Sequence, residues 1–247
     1  SRSTELLTIA RDAAASVIGS DKHQLFYNDM LDTDSYRYMF ILEDTAQCNP
    51  ANLTKKDNTE YILARRHRDG DNLGTNITHA MQANVVYITR KMADMYLCAD
   101  GLPITKSPLF AGYTGATDEF NNRDMRMHTT FLKNGQAYWN NDGKWRTTWT
   151  DSDLGNALTA NVRSGSGYKN NKWAVERQVA DNFEAMDYPV TRYAEVLLNH
   201  LEATYELNNS ITDEDLDIPL NLFRSRVKKE IPKLCNSVAT THGIHIG

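Results

Sequence analysis

The stretch from Val190 to Leu207 constrains the fold more than any other part of the chain. At about 100° per residue it gathers Tyr193, Ala194, Leu197, Leu198, Leu201 and Tyr205 into one sector. Glu195, Asn199, Glu202 and Glu206 fall on the opposite side. Such a segment is an amphipathic helix that needs an apolar partner. Asn208 and Asn209 end it, and Thr212 with Asp215 three residues later signals a new helix start. Leu216, Leu220, Phe223 and Val227 continue at helical spacing. Pro219 should split or restart that second helix, because proline has no N–H for the carbonyl one turn back. Two helices joined by a short turn form an αα-hairpin, the unit of helical-repeat superhelices. No 34-residue self-similarity accompanies it.

A further helix opens the chain, where Leu6, Ala10, Ala13, Ala14 and Val17 recur at helical spacing. Ser3 or Thr4 can cap its start and Gly19 stops it. Beyond it the pattern loosens from about Asp21 to Gly74, with an aromatic–aliphatic run from Tyr36 to Leu42 and a short strand or buried extended segment over Thr59–Arg66. Met92, Met95 and Tyr96 lie on a helix that closes near Gly101-Leu102-Pro103. Residues 103–172 are the least regular, and an irregular stretch of that length is functional or a domain-scale excursion.

Composition excludes some classes. The 247 residues carry a net charge of −5, which disfavours a sequence-independent grip on nucleic-acid phosphates. No apolar run approaches the roughly 18 residues that a membrane-crossing helix needs. There are 22 Asn and 23 Thr, residues that favour turns, caps and irregular backbone and suit a loop-rich extracellular or cell-surface protein. Cys48, Cys98 and Cys235 are far apart with no metal-like spacing, so they allow at most one disulfide and otherwise read as small buried residues. No signal peptide precedes the first helix, which fits either a cytosolic protein or a chain whose export segment lies elsewhere.

Familiar motifs fail on inspection. His67-Arg68-Asp69 has Gly74 where a kinase catalytic loop needs Asn. Asp32, Asp34 and Glu43 imitate a calcium loop, but Arg37 stands where the sharp turn needs Gly. His242 and His245 have no third ligand nearby, and no HExxH, GxSxG or GxGxxG is present. Nothing marks any two carboxylates as an acid–base pair. The expectation is a non-enzymatic chain with no cofactor and no metal.

One cluster points to binding. Trp139, Trp145 and Trp149 fall within eleven residues, beside Tyr138 and among Asn140, Asn141, Asp142, Lys144 and Arg146. Sugar rings lay their C–H faces on aromatic rings while amides and charges take the hydroxyls. Aromatics also plug loops onto a scaffold, and on the residues alone both readings stand. The candidate ligand-binding residues are Tyr138, Trp139, Trp145 and Trp149.

Several segments together resemble the SusD/RagB family. They are Pro189-Val190-Thr191-Arg192-Tyr193-Ala194-Glu195-Val196-Leu197-Leu198-Asn199, then Glu202-Ala203, Leu220-Asn221-Leu222 and Arg224-Ser225-Arg226-Val227. Upstream, in the same order as in the family, stand Glu60-Tyr61-Ile62-Leu63-Ala64, then Asn122-Arg123-Asp124-Met125-Arg126 with Met125 where proline is usual, then Gly167-Tyr168-Lys169 with Lys172-Trp173. His200-Leu201 and Phe223 depart from the pattern.

The resemblance implies a mainly α fold: a tetratricopeptide-type helical scaffold with a long loop-rich insertion and minor short β-strands. It implies one domain fragment, with a scaffold helix at 1–20, a loop-rich ligand-binding region at 21–187, a helix hairpin at 188–230 and an irregular tail at 231–247. The lipobox cysteine and a later C-terminal helix of the family are expected to lie outside this chain, which then corresponds to about half of a surface lipoprotein. The implied function is nutrient binding, most often of glycans or oligosaccharides, for a SusC-like TonB-dependent transporter at the outer membrane. The membrane is then reached only through a lipid anchor, and no nucleic acid is involved. A helical-repeat scaffold for a protein partner is the alternative. Arg123, Asp124, Arg126 and Arg192 are expected in buried arginine–carboxylate pairs that pin loops to helices.

Overall fold

The computed structural model describes residues 1–45, 49–69, 72–82, 88–115, 117–132, 138–139, 145–146 and 168–225, with the backbone alone at 82, 138–139, 145–146, 218 and 225. The chain forms two compact units that interleave in sequence. Unit 1 comprises Ser1–Tyr27, Asn58–Arg65 and Pro189–Gly247, and unit 2 comprises Asn28–Asp57 and Arg66–Tyr188. The described residues are mainly helical, with short strands.

Unit 1 is built on two long helices, α1 (Arg2–Ile18) and α6 (Tyr193–Asn208), which pack along each other. Its apolar centre is Leu25, Tyr193, Ala194 and Leu197, with Val17, Ile18, Ile62 and Phe223 against it. The helix α1 starts one turn earlier than the sequence suggests, capped by the Ser1 hydroxyl, and it stops at Gly19 as expected. The helix α6 begins at Tyr193 rather than Val190. Tyr188–Arg192 instead forms strand β4, which pairs with β1 (Tyr61–Arg65). The Glu60 carbonyl accepts the Tyr193 N–H at 2.9 Å, and that long-range bond fixes the switch from strand to helix. Leu198, placed by periodicity on the apolar sector, is 41% exposed, whereas Leu197 is fully buried.

Asn209 closes α6 in the left-handed region at φ 51°, a conformation asparagine tolerates. Thr212 and Asp215 then form a reciprocal capping box on α7 (Asp213–Leu216). Around Pro219 the helix widens into a π-turn, Asp217–Asn221, before resuming as α8 (Leu222–Ser225). The sequence expectation of a split at Pro219 is met by one wider turn, with more residues per turn, which absorbs the missing N–H.

Unit 2 is threaded by short helices: α2 (Ser35–Tyr38), α3 (Ile77–Gln82), α4 (Arg90–Met95) and α5 (Met125–Thr130). Short elements cannot hold themselves together, so buried side chains and ion pairs do it. Met39, Phe40, Ile41 and Leu42 are each no more than 2% exposed. Glu43, also buried, accepts two hydrogen bonds from the Arg177 guanidinium and one from the Ala185 N–H. A second apolar cluster gathers Ile88, Ala93, Phe120, Met127 and Phe131. Cys98 is free and buried, as expected for a small apolar residue, while Cys48, Cys235, His242 and His245 lie outside the described residues.

Candidate functional site

The aromatic excursion leaves and returns through one stem. After α5 the backbone of Phe131 bridges Asn170 in antiparallel fashion. The Leu132 N–H donates to the Lys169 carbonyl at 2.9 Å, and the Asn171 N–H to the Thr130 carbonyl at 2.8 Å. Phe131, wholly buried, meets Tyr168 edge-on at 5.3 Å and Tyr96 at 5.9 Å. A segment of more than thirty residues is thereby clamped at its base. Within it β2 (Tyr138–Trp139) and β3 (Trp145–Arg146) form an antiparallel ribbon, with Tyr138 opposite Arg146 and Trp139 opposite Trp145. Three of the four sequence candidates thus share one ribbon by backbone register, with their side chains outside the described residues. Trp149 lies outside them altogether.

The ribbon's strand β2 runs close to α3, and a buried carboxylate sets α3. Glu184, fully buried, accepts hydrogen bonds from the backbone N–H groups of Thr78 and His79, where the helix N-terminus favours negative charge. Its other contact is His79 Nδ1 at 2.6 Å. Burial pushes the Glu184 carboxyl above the usual carboxylate range, and these hydrogen bonds oppose that shift. The Thr78 hydroxyl donates to the Trp173 carbonyl at 2.6 Å. Thr75 and Glu184 bridge their backbones, and Gly74 supplies the room: a Cβ there would sit 1.9 Å from the Asn182 carbonyl oxygen.

Trp173, the fourth tryptophan, is core. It is 8% exposed, stacks on Tyr188 at 5.3 Å and meets Phe40 edge-on at 4.9 Å. Its φ of 71° is strained for a bulky residue and is held by this packing.

At the base of the excursion lies a set of half-buried and exposed polar groups that the sequence reading missed. The Tyr168 hydroxyl donates to Glu119 at 2.6 Å, and burial together with that carboxylate raises the phenol well above its ordinary pKa. Tyr113, 46% exposed, donates to Asp94 at 3.0 Å, and the Arg90 guanidinium stacks over its ring at 3.9 Å. Arg90 also donates to Asp94. An aromatic ring beside a carboxylate and a guanidinium offers an apolar surface with an acceptor and donors for hydroxyls. Tyr113 carries no spacing signal of its own: Phe110 meets its ring edge-on at 5.0 Å, but its charged neighbours Asp94 and Arg90 come from a segment nineteen and more residues away.

The SusD family's sequence pattern matches residues 53–234. The chain belongs to the SusD family. Its fold is similar to that of a SusD-like carbohydrate-binding protein from Bacteroides fragilis, at 22% identity and a TM-score of 0.64 over 95% of this chain and 43% of that one. A second SusD-like protein from Bacteroides fragilis aligns at 20% identity and a TM-score of 0.58, covering 95% of this chain and 45% of that one. The chain thus spans less than half the length of these structures. No curated protein matches it in sequence.

In this SusD chain the family-like charged residues are structural. Arg192 donates to the buried Glu60 at 2.8 Å, joining two signature elements 132 residues apart. Asp124 caps α5 by accepting from the Arg126 N–H and also binds the Arg126 guanidinium. Met125 sits at the first helical position, which the family's usual proline also suits. Arg123 departs from the expected carboxylate pairing. Its guanidinium serves the backbone carbonyls of Ala93, Tyr96 and Glu119, tying the end of α4 to the segment that leads into α5.

Proposed function

We propose that this chain is the glycan-binding portion of a surface nutrient-binding protein, and that it binds without a catalytic step. The observation that carries the reading is an aromatic-rich excursion clamped on a hydrogen-bonded stem, with Tyr113, Asp94 and Arg90 at its base, in a chain of the SusD family. Pre-formed elements lower the ordering penalty of binding, and a tyrosine–arginine–aspartate group matches the mixed apolar and hydroxyl character of a sugar. The carbohydrate-binding description of the Bacteroides fragilis relative supports the same class of ligand.

The binding residues in this reading are Tyr138, Trp139, Trp145 and Trp149, with Tyr113 at the margin. The bound saccharide passes to a SusC-like TonB-dependent transporter, and the protein sits at the outer membrane through a lipid anchor. Among the described residues no helix is long and apolar enough to cross a membrane.

Titration of the chain with a panel of neutral oligosaccharides, followed by calorimetry, tests the proposal. At least one should bind, and Trp139→Ala with Trp145→Ala should abolish the heat. Product release from a polysaccharide would overturn the non-catalytic part. A protein-docking scaffold is the second reading, favoured by a groove of 380 Å³ between α1 and α6 that is lined mainly by small apolar residues such as Ala10, Ala13 and Ala203. Wild-type silence towards every saccharide would favour it.

A further inference from the structure

Unit 2 holds a second chemical cluster that the aromatic site does not use. Asp44, Lys55, Arg66, His67, Arg68 and Leu73 line a cavity of 300 Å³, at the lower end of ligand-pocket sizes. A buried carboxylate organises it. Asp187, whose side chain is 2% exposed, accepts from the His67 N–H at 3.0 Å and from the Lys55 ammonium at 3.1 Å. The Arg66 guanidinium pairs with its other oxygen at 2.9 Å.

The cations differ in what they have left to give. The Lys55 ammonium also donates to the carbonyls of His67 and Ala185 and lies 3.1 Å from Asp44, so its donors are committed to the fold. Arg66 is the opposite case. Its side chain is 67% exposed, and one nitrogen on Asp187 leaves the rest of the fork presented to solvent. His67 holds its Nδ1 on the Met186 carbonyl at 3.0 Å, which leaves Nε2 as the ring's other polar atom.

We propose that this cavity takes the carboxylate or sulfate of an acidic sugar, with Arg66 as the bidentate partner. A planar guanidinium matches the two oxygens of such a group, and the buried Asp187–Lys55 pair holds that guanidinium in place. Arg68 and His67 add charge and a hydrogen-bonding wall, and Leu73 gives the sugar ring an apolar contact. The ligand class rests on the glycan-binding reading, while the site and its residues are separate from it.

The test is calorimetric titration of the chain with trigalacturonate, its methyl ester, a sulfated disaccharide and inorganic sulfate. The acid or the sulfated sugar should bind. The uncharged ester should bind at least tenfold more weakly, and Arg66→Gln should weaken the charged ligand by roughly tenfold. Arg66→Lys keeps the ion pair with Asp187 but lacks the fork. It should melt like the wild type and lose several-fold in affinity, so the test survives a misfolded Arg66→Gln. Equal binding of acid and ester, or no effect of either Arg66 variant, overturns the proposal. Sulfate binding as tightly as the charged sugars overturns the sugar assignment. If neutral oligosaccharides still bind in a Trp139-dependent way, only the cavity fails; if no saccharide binds, the glycan reading falls with it.

Discussion

Removing the Arg192 guanidinium while leaving Glu60 in place gives the sharpest check on how unit 1 is held. Glu60 is fully buried, and its side chain accepts from Arg192 at 2.8 Å and from the Phe26 N–H at 3.0 Å. Arg192→Met strips the cation and leaves a buried carboxylate without its charge partner. Breaking a buried pair from one side costs about 3–5 kcal/mol. The Arg192 side chain is 24% exposed, so water partly compensates and the lower figure, about 3 kcal/mol, applies. At roughly 2–4 °C per kcal/mol for a chain of this size, Tm should fall by about 6–12 °C. Ellipticity at 222 nm is the readout, because α1 and α6, 17 and 16 residues long, both belong to unit 1. Adding Glu60→Gln removes the stranded charge but keeps an acceptor for Phe26. The double variant should therefore recover about 1–2 kcal/mol over Arg192→Met alone. If Glu60→Gln instead adds its own loss to that of Arg192→Met, the penalty is not a stranded charge and the reasoning is wrong.

Other expectations follow from the same geometry. Gly74→Ala forces a methyl to 1.9 Å from the Asn182 carbonyl oxygen, so backbone must move; soluble yield and the thermal midpoint should both drop, and an unchanged melting curve would contradict the close approach. Thr212→Ala removes the capping box and should destabilise by about 1 kcal/mol in urea titration at pH 7. The hydroxyl and N–H of Thr212 hold the Asp215 carboxyl below its ordinary pKa. A depressed folded pKa gives stability that is present above the unfolded value and lost as pH falls through the folded one. The gap between wild type and Thr212→Ala should accordingly shrink below about pH 3.8, and a constant gap would count against the carboxylate's part. Trp173→Phe should shift the emission of the folded protein to longer wavelength by deleting the buried indole; no shift would argue that Trp173 is solvated.

Much of unit 1 was legible in the sequence because its rules are local. The helical periodicity read over 190–207, the Thr212–Asp215 box and the break at Pro219 each depend on residues within a turn or two of one another. The short strand at Tyr61–Arg65 was legible in the same way. The candidate site was only half so. Clustered aromatics at 138–149 show in any reading, and the ribbon joins Trp139 to Trp145 in register. Tyr113, Asp94 and Arg90 do not show, because a tyrosine in an irregular segment looks the same whether or not a guanidinium stacks on it.

What the sequence by itself determined is the presence of amphipathic helices, the stops of α1 at Gly19 and of α6 at Asn209, and the family-like order of Glu60, Arg123, Asp124 and Arg192. Tertiary structure decided what those residues do. Only the fold pairs Arg192 with Glu60, gives Arg123 carbonyls instead of a carboxylate, buries Trp173, and leaves Leu198 exposed although it lies on the apolar sector. It alone brings Asp187 under Lys55, Arg66 and His67 across more than a hundred residues. The physical reason is the range of the interactions. Helix periodicity and caps are set within a few residues, whereas a buried charge is satisfied by whichever partner the chain's path brings within about 3 Å.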